Sequence, residues 1–536
     1  MRKFLLASVA TLGTGGLTGV ALAQPAGGPV GAPTQGQVAY PAAPSPTAYV
    51  NNNNNYQAPA LPGPLANPTP GTIVIHVNAK VQAGFGATWT SADSRFAGTF
   101  PATAANPVVG QVKLQPQSLY TFAREYFGAD GMATNGLRYG AAIELRENFS
   151  GQISNNNSSG ASSYSSTETV FVRRAFTYVA GDSWGIVRLG QADGLIGIFD
   201  NGVTTFQFLP TGNFNGGDTQ SLMPSGVTPP FVLLSQAGNE YDNVKAVYMS
   251  PQIAGFDFGV QYAPNTSNGL GQSGSLGGLN AGFGAANVAF NGIGTGNSCS
   301  VANSGCPNLS AGPGGLDGSR INNQWAVGLR YQGVFGGAGV LAYAVGEFSG
   351  HADYTGPALF NPGTATLNPA GVANLGTSTA LVAAGSTYNG QYKNLKIGSG
   401  GVAVTFAGVT VGGNLIGGNM NNQLGLQPQG GAPLFGFTFG AKYVAGPLTI
   451  GAAVEEFWMQ GEARLSGISQ YRGRGLNVGA SYTVAPGYQV FGEYLWNDQY
   501  QGARNFVTGA LGTAAGAGAN NTIRGQGLVI GNVVNF

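Results

Sequence analysis

Isolated basic residues recur along the chain at positions where every second residue is small or polar. Arg173 shares its side of a predicted strand with Ala175 and Thr177, because side chains of a strand point alternately to its two faces. A row of fixed positive charges on a polar face can attract anions or pair with carboxylates. The same rule selects six further residues for the polar face, namely Arg138, Arg146, Arg188, Lys245, Arg330 and Lys442.

Parity also makes a prediction about the neighbours of Arg173. Phe176 and Tyr178 fall on the opposite, apolar face, and the adjacent Arg174 is sent there too. A guanidinium on an apolar face needs special surroundings. Arg174 is therefore expected either in a subunit interface or above the apolar layer.

Carboxylates that could face the basic side lie mainly in one connecting segment, residues 192–239. If these acids faced the basic residues across a narrow passage, the two sets of charges would create a transverse electric field. The candidate acids are Glu144, on the polar face of its strand, and Asp193, Asp200, Asp218 and Glu240, in or at the end of that segment.

Residues for catalysis are scarce. The only histidines are His76, on the polar face of the first strand, and His351, in a predicted loop, and neither lies beside a nucleophile motif. A Gly-Leu-Gly-Gln-Ser-Gly run at 269–274 has the spacing of a dinucleotide-binding loop but joins no strand to a helix, so chance explains it. Neither enzymatic activity nor a cofactor is expected.

The only cysteines, Cys299 and Cys306, lie in a Ser/Asn/Gly-rich stretch. In an exported chain, a close pair in a loop most simply forms a small disulfide. A metal site is the alternative, but two thiols without nearby His or acid supply half of a tetrahedral shell. The sequence therefore predicts a disulfide and no metal.

The element that must position the charges is an amphipathic β-strand. Between Ile73 and Trp89 the odd positions are apolar, whereas the even positions after Val74 are polar or glycine. The pattern predicts an all-β chain in which one face of each strand meets an apolar medium. It recurs, with the charges opposite the aliphatic residues, at 137–146, 324–331, 435–443 and 476–484.

Composition indicates which medium that is. Charged residues make up 8% of the 536 residues, well under the usual ~25% of globular proteins. Aromatic residues lie near strand ends, and a tight turn at 484–488 contrasts with a long stretch at 263–320. These features favour a transmembrane antiparallel β-barrel over a soluble sandwich. On its lipid side an unpaired arginine would cost ~2 to 4 kcal/mol near the midplane, so the basic residues are assigned inward.

The net charge of +1, from 22 Lys+Arg and 21 Asp+Glu, argues against a nucleic-acid partner.

The N-terminal residues indicate that the chain is exported. Arg2 and Lys3 precede an apolar run, and Ala21-Leu22-Ala23 fits a cleavage site, so residues 1–23 are predicted to be a signal peptide. Residues 24–70 carry many prolines and no charge, which predicts a disordered leader. The barrel is then expected over residues 71–536.

Three segments resemble the Gram-negative general porin family. They are Phe171–Val179 followed by Trp184–Gln191, then Asn243–Tyr262 with its Tyr-x-Ser-Pro and Gly-Phe-x-Phe elements, and finally Gly527–Phe536. The resemblance implies a barrel of about sixteen antiparallel strands with an infolded third loop. One departure is Asn532, which interrupts the apolar stripe of the last strand.

The resemblance further implies a homotrimer that passes small hydrophilic solutes and ions by diffusion. Its partners would be membrane lipid, lipopolysaccharide and the barrel-insertion machinery, for which Phe536 would be part of the signal. The expected function is an outer-membrane diffusion channel of a Gram-negative bacterium. The alternative is a surface barrel without a conducting role, structural or adhesive, because long loops could occlude the interior. A secreted solenoid is disfavoured, since no fixed short repeat is found.

Overall fold

A computed structural model describes residues 68–91, 94–96, 111–113, 116–148, 154–155, 164–165, 169–199, 244–265, 320–352, 393–420, 427, 431–459, 471–502 and 520–536. Sixteen strands of this part of the chain form a closed barrel. They are β1 (Thr72–Thr90), β4 (Gln117–Met132), β5 (Arg138–Asn148), β8 (Thr169–Gly181), β9 (Gly185–Gln191), β10 (Val244–Met249), β11 (Phe256–Asn265), β12 (Arg320–Phe335), β13 (Ala338–Ala352), β14 (Lys396–Phe406), β15 (Val409–Asn419), β16 (Leu434–Ala445), β17 (Leu448–Met459), β18 (Tyr471–Ala485), β19 (Tyr488–Gln501) and β20 (Thr522–Asn535).

The remaining described elements are small. Strands β2 (Ser94–Phe96) and β3 (Gln111–Lys113) form one pair, and β6 (Ser154–Asn155) and β7 (Tyr164–Ser165) form another. Helix α1 (Leu195–Phe199) follows β9. Within the described ranges, no helix has the length and apolar character needed to cross a membrane.

Each barrel strand pairs antiparallel with its neighbours in the chain, and the first strand also pairs with the last. Lys80 lies opposite Asn535, and the terminal residue extends this pairing, because Phe536 and Ala79 exchange two backbone hydrogen bonds of 2.7 and 3.0 Å. Closure matters because a strand edge has no water to satisfy its peptide groups inside a bilayer. The predicted sixteen-strand antiparallel barrel is therefore confirmed.

Alternation along the strands separates two faces of the barrel. Exposed apolar side chains such as Ile75 and Leu119 lie outside, with 77% and 81% of their surface exposed. Inside, the largest fully buried side chains include Lys80, Arg124 and Arg188. A water-soluble protein has the opposite arrangement, with charges outside and apolar residues buried. The outer surface is thus suited to lipid and the interior to water.

Strand β8 departs from this alternation at a β-bulge. Its register against β5 passes from Glu144 opposite Arg174 to Leu145 opposite Val172, so Arg173 is the extra residue. A bulge sets two residues of one strand against one of its neighbour, which shifts the alternation by one position. Arg173 and Arg174 are consequently both buried on the inner face.

The parity assignments of five residues were therefore wrong beyond the bulge. Arg174 points inward rather than outward, and Phe176 and Tyr178 are also buried inside. Ala175 and Thr177 are exposed on the outer face, opposite to expectation. A separate correction concerns His351, which belongs to strand β13 and not to a loop.

Tight turns join the strands at one end of the barrel. Gly487, between β18 and β19, has a φ of 75°, and a Cβ there would lie 2.4 Å from the carbonyl oxygen of Asn535. Its own carbonyl accepts the backbone N–H of Asn535 at 2.8 Å. At the other end the strand bounds leave long connections, such as residues 266–319 and 353–395. Long and short connections alternate, as expected for outer-membrane barrels.

Several sequence predictions fall on residues outside the described ranges. These are the signal peptide, nearly all of the leader, the disulfide between Cys299 and Cys306, and the positions of Asp200, Asp218 and Glu240.

The two faces predict opposite tolerance to charge on β18. Val478 lies on the outer face, midway between Arg474 and Tyr482, so Val478→Arg should lower the free energy of unfolding by about 2 to 4 kcal/mol. Asn477→Arg, one residue away beside Glu493 on the inner face, is the control and should stay within about 1 kcal/mol of wild type. Urea unfolding of the folded protein in lipid vesicles measures both, and equal losses would contradict the assignment of faces.

Candidate functional site

Nine of the twelve predicted site residues fall in the described part of the chain, and all nine are buried on the inner face of the barrel. They are Arg138, Glu144, Arg146, Arg173, Arg188, Asp193, Lys245, Arg330 and Lys442. They do not form one site. Arg146, Arg173, Glu144 and Asp193 come together, Lys245 and Arg330 bind the segment that contains helix α1, and the others lie apart.

Glu144 is the centre of an ion-pair network that joins β5, β8 and the residues just after β9. Its carboxylate accepts from Arg146 at 2.6 Å, from Arg173 at 3.0 Å and from Arg174 at 2.9 Å. Asp193, just after β9, binds the same two bulge arginines, at 3.1 Å from Arg173 and 2.9 Å from Arg174. We call Glu144, Asp193, Arg146, Arg173 and Arg174 the bulge network. It contains three guanidinium groups and two carboxylates, so positive charge predominates within it.

The bulge is what makes this network possible. In a regular strand only one of two consecutive arginines could point inward, so the second would face the apolar outer layer. With the bulge, Arg173 and Arg174 both reach Glu144 and Asp193. The start of the 192–239 segment is thereby fixed to the wall of β5 and β8.

Helix α1 follows the network and lies against the inner wall of β11 and β12. The backbone N–H of Leu195 donates to Gln261 Oε1 at 2.8 Å, and Lys245 Nζ donates to the carbonyl of Ala192 at 3.0 Å. Arg330 donates to the carbonyl of Ile198 at 3.3 Å, and its guanidinium lies 4.8 Å from the centre of the Phe199 ring. The segment 192–199 therefore folds into the barrel, whereas the rest of the predicted loop lies outside the described residues.

Two glycines of the wall make room for α1. A Cβ on Gly259 would lie 2.4 Å from the Leu195 side chain, and one on Gly328 would lie 2.9 Å from the Phe199 ring. Arg330 also forms a two-pronged ion pair with Asp257, at 3.1 and 2.8 Å. Its role is thus to hold the helix and the neighbouring strand.

Two basic residues of the inner face were missed from the sequence. Lys80 is 1% exposed and Arg124 is 2% exposed. Lys80 lies on the polar side of the first strand and could have been selected by parity. Arg124 was obscured because Phe122 and Tyr126 share its parity, so this strand shows no clear polar face in the sequence.

The opposite part of the wall carries carboxylates that sequence reasoning also missed. Glu347 accepts a hydrogen bond from Gln324, and Glu493 accepts one from Asn477. Glu455 on β17 is buried, and its Oε2 has no hydrogen-bond partner within the described ranges. The inner surface therefore differs between its two halves. Arginine and lysine predominate on β1 to β10, whereas β11 to β20 carry Asp257, Glu347, Glu455 and Glu493 alongside Arg330 and Lys442.

Smaller contacts complete the basic half. Tyr178, inward because of the bulge, donates to Asp130, and His76 Nε2 lies 3.3 Å from the same carboxylate. The Arg188 guanidinium lies 4.4 Å from the centre of the Phe176 ring. Among the described residues no three His, Cys, Asp or Glu side chains are grouped closely enough to hold a metal ion.

Comparison with known families identifies the class of protein that this barrel represents. The family model for Gram-negative porins matches residues 115–522, about three quarters of the chain. The chain belongs to the Gram-negative porin family. Members are non-enzymatic outer-membrane channels, and this protein is accordingly an outer-membrane β-barrel of a Gram-negative bacterium.

No curated protein sequence matches the chain. Among solved structures, it is similar to the anion-selective porin from Comamonas acidovorans, with 12% identity over 87% of this chain and 100% of that one and a TM-score of 0.44. It is also similar to a mutant of the Rh. blastica porin, with 11% identity over 86% of this chain and 100% of that one and a TM-score of 0.39. A third similar structure is a loop L8 deletion mutant of OmpT, an outer membrane protein of Vibrio cholerae. It has 9% identity over 87% of this chain and 99% of that one, with a TM-score of 0.41. Likenesses this distant carry no argument about function.

The bulge network predicts an unusual cost for neutralising Glu144. Glu144→Gln leaves three guanidinium groups close together without their central anion, so the free energy of unfolding should fall by about 3 to 5 kcal/mol. Glu493→Gln is the matched control, because the carboxylate of Glu493 accepts from the neutral amide of Asn477, and the change should cost about 1 kcal/mol or less. Denaturant unfolding in vesicles compares the two, and similar losses would show that Glu144 does not organise the arginines.

The seat of helix α1 gives a second prediction. Gly259→Val inserts atoms where Leu195 packs, so overpacking should destabilise the fold by about 1 to 3 kcal/mol. Gly346→Val, in β13, is the control, because a Cβ there meets nothing within 4 Å. If Gly259→Val is as stable as Gly346→Val in the same unfolding measurement, the helix does not occupy this seat.

Proposed function

We propose that the chain forms a water-filled channel through which small hydrophilic solutes and ions diffuse passively across the outer membrane. The observation that supports this most directly is the inverted polarity of the barrel, whose inner face carries buried charged side chains and whose outer face is apolar. Charges of this number inside a closed barrel require water, since burying an ion in a dry interior costs several kcal/mol. A hydrated interior that spans the membrane is a route for solutes.

The proposal includes an electrostatic preference. On β1 to β10 and the segment after β9, the described inner face carries eight basic residues, Lys80, Arg124, Arg138, Arg146, Arg173, Arg174, Arg188 and Lys245. Its described acids there are Asp130, Glu144 and Asp193. Selectivity in such channels follows the sign of charge along the wall. Anions are therefore expected to pass more readily than cations.

The remaining parts of the proposal rest on the sequence and the family. Residues 1–23 direct export and are removed, residues 24–70 form a leader, and the barrel domain occupies residues 71–536. The barrel assembles as a homotrimer in lipid and lipopolysaccharide after insertion by machinery that reads Phe536. The loop acids Asp200, Asp218 and Glu240 help to narrow the channel, and Cys299 and Cys306 form a disulfide in a long loop.

Electrical recording tests the function. The purified, folded protein in a planar lipid bilayer with symmetric potassium chloride should give stepwise openings, grouped in threes for a trimer. A salt gradient should then give a reversal potential of the sign expected for chloride selectivity. A barrel that is correctly inserted but silent would overturn the channel proposal and favour a structural or adhesive surface role.

One pair of variants tests the electrostatic preference. Removing one charge about 8 Å from an ion in water changes the energies of chloride and potassium by about 0.5 kcal/mol each, in opposite directions. Lys80→Gln should therefore lower the chloride-to-potassium permeability ratio by a factor of about six at low ionic strength, and by less as added salt screens the charge. Lys396→Gln makes the same change on an exposed side chain on the outer face of β14 and should leave the ratio unchanged. Equal reversal potentials for the two variants would show that the basic half of the wall does not select ions.

A further inference from the structure

Charged side chains are rare on the outer face of the barrel, and four of them meet on β18, β19 and β20. Arg472 and Arg474 share their face of β18 with the exposed Val478, and Arg524 shares its face of β20 with the exposed Ile530. In the strand register Arg474 lies directly opposite Asp498, which lies directly opposite Arg524. These four residues, Arg472, Arg474, Asp498 and Arg524, are called the outer arginine cluster.

One carboxylate serves three guanidinium groups in this cluster. Asp498 Oδ2 lies 2.9 Å from Arg524 Nε, and its Oδ1 lies 3.4 Å from Arg474 Nε and 3.9 Å from Arg472 Nη2. The carboxylate is covered, with 1% of the Asp498 side chain exposed. The side chains of Arg472, Arg474 and Arg524 are 36%, 41% and 63% exposed, respectively.

The excess of donors over acceptors points outward. A guanidinium has five N–H donors and a carboxylate about four acceptor sites, so a single Asp498 cannot satisfy three arginines. Glu456 lies opposite Arg474 on the same face of β17 and adds a second negative charge nearby. Even with Glu456 included, the described outer face at this place carries one positive charge in excess.

The position of the outer arginine cluster along the barrel axis indicates which part of the membrane it contacts. Arg472 and Arg474 lie near the start of β18, and Arg524 lies near the start of β20, at the end of the barrel remote from the tight turn at Gly487. Long connections lie at this end, which in outer-membrane barrels faces the cell exterior. Toward the membrane interior the next outward residues are Leu476, Trp496 and Gln526, followed by Val478, Tyr494 and Leu528.

Aromatic rings hold two of the arginines at this boundary. The guanidinium of Arg474 lies 5.8 Å from the centre of the Trp496 ring, and that of Arg472 lies 5.8 Å from the centre of the Tyr500 ring. Tryptophan and tyrosine favour the level of the lipid headgroups, and cation–π contact fixes the arginine planes there. The cluster therefore presents pre-oriented guanidinium groups where headgroup phosphates lie.

We propose that the outer arginine cluster binds a phosphate of a phosphorylated glycolipid, lipopolysaccharide, in the outer leaflet. Arginine forks match phosphate oxygens in a bidentate manner, and neighbouring apolar residues of β18 and β20 continue the contact along an acyl chain. Asp498 keeps the three side chains together and so reduces the entropy lost on binding. The proposal requires only the outer-membrane location of the barrel and is independent of conduction.

Binding of purified lipopolysaccharide to the folded, full-length protein in detergent tests the proposal, with bound glycolipid counted by native mass spectrometry. The double variant Arg474→Gln/Arg524→Gln should bind about tenfold more weakly, because each arginine contributes charge-assisted hydrogen bonds. Lys396→Gln, which removes an exposed positive charge from the outer face of β14, should bind like wild type. The same glycolipid stripped of its phosphates should bind wild type as weakly as lipopolysaccharide binds the double variant.

Other outcomes would overturn the proposal. Unchanged binding by the double variant, or an equal loss with Lys396→Gln, would show that the cluster is not the site. Displacement of the glycolipid by millimolar inorganic phosphate would assign the site to free phosphate. Loss of subunit association in the double variant, with lipid binding intact, would make the cluster an interface between copies of the chain.

Two controls keep the result interpretable. If the double variant does not fold, Arg474→Lys/Arg524→Lys retains the charge, loses the bidentate fork and should show a smaller loss of binding. Ion conductance of each variant is recorded in parallel and should not change, because the cluster lies outside the barrel. A silent wild-type barrel that still binds the glycolipid would reject the proposed channel and retain this site.

Discussion

Every peptide group within the bilayer must find its hydrogen bond inside the protein, and the closed sheet is how this chain meets that requirement. The pairing of β1 with β20 removes the last free edge, and the two bonds between Ala79 and Phe536 carry it to the chain terminus. Once each strand is fixed in register, every side chain is assigned to lipid or to the interior. The charges of the wall, the seat of α1 and the outer arginine cluster all depend on that assignment.

The functional geometry lies where the regular pattern is interrupted. At the β8 bulge the extra residue brings Arg173 and Arg174 to the same side, and the paired carboxylates of Glu144 and Asp193 then balance part of their charge. The wall glycines Gly259 and Gly328 are a second interruption, because they replace side chains with a hollow that receives a helix. A uniform barrel would have neither a fixed loop base nor a concentrated patch of arginine.

Much of the architecture could be predicted from the alternation alone, because lipid on one side and water on the other force a period of two. Arg188 and Lys245 were assigned to the inner face in this way. Arg174, Phe176 and Tyr178 were not, because a bulge depends on the register with β5 and leaves no mark in the local pattern. The pairing of Arg330 with Asp257 and the covering of Asp498 likewise arise between strands, where a single-strand rule is silent.

The separations along the chain between partners give the barrel an order of assembly. Glu144 and Arg173 are 29 residues apart and Arg173 and Asp193 are 20 apart, so the bulge network needs only a short stretch of polypeptide. The contact of Arg330 with Ile198 spans 132 residues, and that of Arg524 with Ser91 spans 433. Because the entropy of joining two points grows with the chain between them, the arginine-rich wall can form early, the helix seat later and the final seam last. The electrostatic half of the wall is thus also the most local part of the folding problem.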